Sequence, residues 1–96
     1  MALIEKEIKN DLITCWYNSA NILLSEYVLS KQLLDITFRN GQKYRYYHVN
    51  PQNHAGLQMS ESTGQYFHTN IRTHAFKKMG VVPISEHLRR ANKRIT

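Results

Sequence analysis

Ninety-six residues with 42% hydrophobic content make one small domain, with room for a single modest core. Thirteen Lys/Arg against seven Asp/Glu give a net charge of +6, and five histidines and one cysteine complete the reactive inventory. The longest apolar runs fall far short of the ~20 residues of a membrane span, the charged start MALIEKEIKND does not read as a signal peptide, and Cys15 closes no internal disulfide, so a cytoplasmic protein with no membrane contact is expected.

At the N-terminus, Leu3, Ile4, Ile8 and Leu12 sit near helical spacing, yet the same segment reads equally as a strand. Residues 1–18 are therefore an extension that is strand or short helix. Ile13-Thr14-Cys15-Trp16-Tyr17 is rich in β-formers and predicts a strand, with a turn at Asn18-Ser19. Ile22 to Leu29 predicts a second strand and Ser30-Lys31-Gln32 a turn. Leu33 to Arg39 predicts the strand that leads into Asn40-Gly41.

That Asn-Gly pair is the strongest local signal, because glycine takes positive φ freely and Asn-Gly between β-rich runs marks a hairpin. A two-residue loop would set Phe38 opposite Lys43 and Ile36 opposite Arg45, mixing apolar and charged groups. A three-residue loop, Arg39-Asn40-Gly41, sets Ile36 opposite Tyr44, Leu34 opposite Tyr46, and Asp35 opposite Arg45. The second register keeps each face chemically uniform and is the one predicted. Tyr44 and Tyr46 then share the apolar face with Leu34, Ile36 and Phe38, while Lys43, Arg45 and Tyr47 share the other.

Asn50-Pro51 predicts a helix start, an Asn cap followed by a proline whose missing N–H costs nothing at the first helical position. Ser62-Thr63-Gly64-Gln65 has capping-box spacing and predicts a second short helix to about Thr69. Gly80 and Pro83 bound a linker. Ile84, Leu88, Ala91 and Ile95 then form a narrow apolar stripe on a C-terminal helix whose other face carries Arg89, Arg90, Lys93 and Arg94. The fold class is α+β: a small antiparallel sheet of about three to five strands, two short helices on one face, and a basic C-terminal helix. Its core is expected to include Leu34, Ile36, Phe38, Tyr44, Tyr46, Leu57, Tyr66, Phe67 and Ile71.

Charge is unevenly placed. Residues 1–37 carry −2 and residues 38–96 carry +8, a field suited to phosphate or to an acidic protein. Arg39, Lys43, Arg45, Tyr47, Arg72, Lys77 and Lys78 are the expected nucleic-acid contacts, with Arg89 and Arg90 as auxiliaries. The cations would neutralise phosphates and the tyrosine would stack on a base. Ser62 and Gly64 at a helix start, flanked by His68, make a candidate anion site, against the simpler reading of a structural cap. The tail helix either holds phosphate or docks on the domain. None of the histidines falls in a metal-binding pattern, and Cys15 beside Trp16 reads as buried. No phosphate loop or nucleophile elbow is present, so no cofactor, no metal and no catalysis are expected.

Tyr44 and Tyr46 after strand–NG–strand, followed by Ser62, Gly64, Tyr66, Phe67, Asn70 and Ile71, resemble the KTSC domain over about residues 19–72. The chain departs from the family at His68, where Asn is usual, and at Asn50 before Pro51. The resemblance implies a domain at 19–76, followed by a linker and basic helix at 77–96. That family is named for the C-terminus of some lysyl-tRNA synthetases and also stands alone in bacterial and phage proteins. The synthetase setting invites RNA binding, with RNA ahead of DNA. The phage setting suggests an alternative, an interaction module or inhibitor of a host protein. A homodimer would cover the Tyr47 face.

Overall fold

The computed structural model describes residues 2–95, with side chains described to Asn92. Six strands form one antiparallel meander in chain order: β1 (Leu3–Lys9), β2 (Leu12–Tyr17), β3 (Ile22–Val28), β4 (Leu33–Phe38), β5 (Gln42–Tyr46) and β6 (Phe76–Val81). Three α-helices complete it: α1 (Pro51–Met59), α2 (Thr63–Asn70) and α3 (Ser85–Ile95). Among the described residues, no helix is long and apolar enough to cross a membrane.

One open alternative is resolved and one expectation corrected. The N-terminal segment is a strand, paired with β2 through a turn in which Asn10 takes φ of 56°. Residues 76–81 form the sixth strand where a linker was expected, so the sheet exceeds the three to five strands anticipated. Gly80, read as a boundary, instead takes φ of 94° beside the irregularity that shifts the β5–β6 register. It is a bulge residue within a strand.

The central hairpin adopts the three-residue loop. Leu34 pairs with Tyr46, Asp35 with Arg45 and Ile36 with Tyr44, and Gly41 supplies φ of 92°. Alternation of side chains gives the sheet two unlike faces. On the inner face Cys15, Tyr17, Ile22, Tyr27, Leu34, Ile36 and Tyr46 pack against Leu57 of α1 and Phe67 and Ile71 beside them. All nine core residues expected from the sequence belong to this cluster, although Phe38, Tyr44 and Tyr66 are only partly buried.

Both inner-face helices start as their sequences dictate. The Asn50 side chain accepts from the Asn53 N–H, and the Ser62 hydroxyl accepts from the Gln65 N–H. Gly56 is where α1 meets α2: a Cβ there would fall inside the Tyr66 ring, whose hydroxyl donates to Asn53. On the outer face Ile84, Leu88 and Ala91 pack against Trp16, Leu23, Leu24 and Ile4. The Trp16 indole N–H donates to His87 Nδ1 at 3.2 Å, and the Arg90 guanidinium lies 4.1 Å from the Trp16 ring centroid. Lys93, Arg94 and Ile95, part of the predicted stripe and basic face, lie outside the described side chains.

Candidate nucleic-acid interface

The cations predicted on the outer hairpin face are engaged within the fold. Arg45 grips Asp35 through both carboxylate oxygens at 2.9 and 3.1 Å. Lys43 reaches Glu26 at 3.3 Å and Asp35 at 3.7 Å. The Asp35 partner holds the Arg45 guanidinium above its ordinary range, first through the hydrogen bond and then through charge. Strand pairing explains the ladder, since Glu26, Asp35 and Arg45 stand in adjacent register on β3, β4 and β5. The tail arginines are occupied likewise. Arg90 forks onto Glu5 at 3.0 Å and reaches Glu7 at 2.7 Å, while Arg89 pairs with Glu86 at 2.7 Å.

The inner face has a different character. Between the end of the β4–β5 hairpin, α2 and the start of β6 lies a groove of about 810 Å³. Phe38, Tyr44, Tyr46, Phe67 and Phe76 line it, together with Arg39, His68, Arg72 and Gly64. The rings form a continuous array, with Phe38–Tyr44, Tyr44–Phe76 and Tyr46–Phe76 centroids 5.8, 5.8 and 5.9 Å apart. Tyr46 is 4% exposed and forms the floor, with burial pushing its phenol up to about 12. Tyr44 is half-buried, and Phe76 is 53% exposed at the mouth.

Sequence-predicted site residues thus divide. Arg39, Gly64, His68 and Arg72 come together on the groove. Lys78 stands opposite Tyr44 in the β5–β6 ladder, and Lys77 opposite Arg45. Lys43, Arg45 and Tyr47 belong to the opposite face. Ser62 lies off the groove, in a smaller depression at the start of α2, and serves as the helix cap. Arg39 donates through Nε to the Ser19 carbonyl and through Nη2 to the Tyr17 carbonyl at 3.0 Å, which fixes its guanidinium at the groove edge. Arg72 rests on the His68 ring at 3.0 Å, one helical turn away.

Phe76 was missed as a groove residue, and so was a polar network beneath the sheet. The Tyr17 hydroxyl meets Ser25 Oγ at 2.7 Å, Ser25 meets His54 Nε2 at 3.1 Å, and His54 Nδ1 meets the Gln58 amide at 3.2 Å. Tyr27 stacks on His54 with centroids 4.7 Å apart. The serine–histidine contact resembles a catalytic dyad, but Ser25 is 0% and His54 1% exposed, and neither borders the groove. Burial pushes the His54 imidazole down to about 4, keeping it neutral, and raises the Tyr17 phenol and Cys15 thiol. Neutral, fully partnered and sealed, the network ties α1 to β3. Parity along β3 could have placed Ser25 inward with Tyr27, but nothing local links it to His54.

An antiparallel sheet, covered on one face by two short helices and bordered by an aromatic groove, defines a small α+β domain. The KTSC domain model matches residues 18–76, and the chain belongs to that family. The chain is also similar to a KTSC domain protein from Yersinia pestis known from its crystal structure. The two share 23% identity, with 79% of this chain and 97% of that chain covered and a TM-score of 0.63, a likeness in fold. No curated protein matches the chain.

Proposed function

We propose that this domain binds single-stranded nucleic acid, RNA ahead of DNA, without catalysing a reaction on it. The observation that supports this reading is the groove itself: five aromatic rings in contact, edged by Arg39, His68 and Arg72. Aromatic platforms accept bases regardless of sequence because every base has a π-face, at ~1–3 kcal/mol per stacked base. Phosphates carry the complementary charge, and Arg72 and Lys78 are the cations best placed to receive them. A duplex keeps its bases stacked inside, away from such rings, so an unpaired strand is the better fit.

Fluorescence anisotropy with labelled single-stranded RNA, single-stranded DNA and duplex DNA across a salt series tests the reading. The expected result is affinity for single strands, RNA foremost, that falls log-linearly with salt. Absence of binding at low salt overturns it.

A second reading, a protein-interaction module, draws support from the free edge of the sheet. Phe76, Met79 and Val81 on β6 are 53%, 37% and 75% exposed beside Lys77 and Lys78. An extended segment of an acidic partner would meet both apolar and positive side chains there. Binding of the strand to the groove and its retention after Met79→Ser and Val81→Ser, the exposed apolar β6 side chains that do not line the groove, would favour nucleic acid over this alternative.

A further inference from the structure

We infer that the depression at the start of α2 seats one phosphodiester of the bound strand, held by the Thr63 hydroxyl, the Thr63 and Gly64 N–H groups and the Asn21 amide; the inference rests on the strand-binding reading above. The depression, of about 310 Å³, adjoins the aromatic groove and shares Ala20, Asn21 and Gly64 with it. A strand lying along the rings can pass a phosphate over this shared wall. Thr63 lines the depression at 1% exposure, and its Oγ1 is the one buried side-chain polar atom without a hydrogen-bond partner among the described residues. Native folds satisfy nearly all such atoms, so an exception calls for a partner from outside the chain.

The backbone around that hydroxyl is arranged to donate. Ser62 satisfies the Gln65 N–H with its hydroxyl and the Tyr66 N–H with its carbonyl. The N–H groups of Thr63 and Gly64, the first two residues of the helix, stand outside that ladder. Gly64 keeps the approach open: a Cβ there would lie 3.9 Å from Asn21 Nδ2, so the Asn21 amide rests against the same turn. Among the described residues Asn21 spends only its backbone groups, the N–H on Ser19 and the carbonyl on Arg39. Hydroxyl, backbone N–H groups and carboxamide meet at the positive end of the helix dipole, the arrangement that holds an oxyanion. Charge then decides which oxyanion. None of the described residues lining the depression is Lys, Arg or His, and exposed Glu61 is among them. A doubly charged free phosphate is repelled by that carboxylate, whereas a singly charged diester is repelled less and is anchored by neighbouring bases on the rings. Of the anion site expected from the sequence, Gly64 is kept, Ser62 acts as the cap and His68 meets Arg72.

The test follows backbone amide shifts by NMR as the protein is titrated with a uridine decamer, with uridylyl-uridine, with its uncharged methylphosphonate analogue and with inorganic phosphate. The decamer and the dinucleotide should move the Thr63 and Gly64 amides together with those of Tyr44 and Phe76. The analogue should move the groove amides alone, and inorganic phosphate neither set. Thr63→Val keeps the side-chain shape and removes an unpartnered hydroxyl, so it should stay folded by circular dichroism. It should weaken the dinucleotide about three- to tenfold and leave the analogue's affinity unchanged. Groove shifts without shifts at Thr63 and Gly64 would overturn the phosphate subsite and leave strand binding standing. No shifts with either strand would overturn both readings. Shifts of Thr63 and Gly64 with inorganic phosphate alone would overturn the assignment to a strand diester. Equal losses for dinucleotide and analogue in Thr63→Val would overturn the role of the hydroxyl.

Discussion

Replacing His54 with glutamine should flatten the acid limb of the stability profile. The imidazole is 1% exposed, held between Ser25 and Gln58, and burial lowers its pKa from 6.5 to about 4, with a smaller contribution from Lys6. In the unfolded chain the same ring takes up a proton as pH falls through about 6.5, whereas the folded protein resists until about 4. Below 6.5 the unfolded state therefore binds more protons, and stability declines as pH drops toward 4. At about 1.4 kcal/mol per pH unit, the full gap is worth about 3 kcal/mol, all of it present above the unfolded pKa. His54→Gln removes the titration while keeping hydrogen-bonding atoms in the cavity. Urea unfolding followed by Trp16 fluorescence and far-UV circular dichroism, between about pH 7.5 and about pH 4.5, gives both profiles. Wild type should lose about 2–3 kcal/mol more than the variant over that window. Parallel profiles would refute the assignment of a neutral, proton-excluding His54, whatever the variant's stability at neutral pH.

Gly56→Ala should destabilise by about 1–3 kcal/mol in chemical denaturation, because the added carbon displaces the Tyr66 ring. Helix propensity alone predicts a gain of up to about 1 kcal/mol, so the sign of the change decides between the two effects. Tyr46→Ala should cost about 3 kcal/mol or more by the same assay, as its ring is buried among Phe67 and Phe76. Tyr44→Ala should leave the protein folded and weaken single-strand binding by about 1–3 kcal/mol, read by anisotropy. Arg72→Ala should weaken binding to every strand alike and lower the salt slope by about one ion, the signature of a single phosphate contact.

What the sequence disclosed follows from how local each signal is. The hairpin register was legible because Asn40-Gly41 supplies the turn and cross-strand pairing leaves one chemically consistent alignment, with Asp35 opposite Arg45. The helix starts at Asn50 and Ser62 were legible for the same reason, since a cap and its recipient lie within three residues. Strand β6 was not. All six of its residues are exposed, so the buried–exposed alternation that marks a strand is missing, and Gly80 reads as a break. The Ser25–His54 contact spans 29 residues and has no motif. The groove was half legible: the rings and Arg72 were singled out separately. Phe76, which closes the mouth, is positioned only by a strand the sequence did not announce.

Net charge alone overstates how much of the basic surface is free, and the pairing of the charges explains how. The excess of +8 in residues 38–96 looks like a broad basic surface, and the outer hairpin face holds two of its cations. Folding brings the acidic N-terminal half against that excess selectively. Glu26 and Asp35 take Lys43 and Arg45, and Glu5 and Glu7 take Arg90. Each of these pairs lies on the outer face, where α3 also docks. Arg39, Arg72, Lys77 and Lys78 have no carboxylate partner among the described residues, and three of the four belong to the groove or the strand residue facing Tyr44. The same sheet that neutralises one face therefore leaves its field on the other, beside the aromatic rings. An uncompensated cation beside an accessible ring is the combination a single-stranded phosphodiester meets most favourably, through charge at the backbone and stacking at the base.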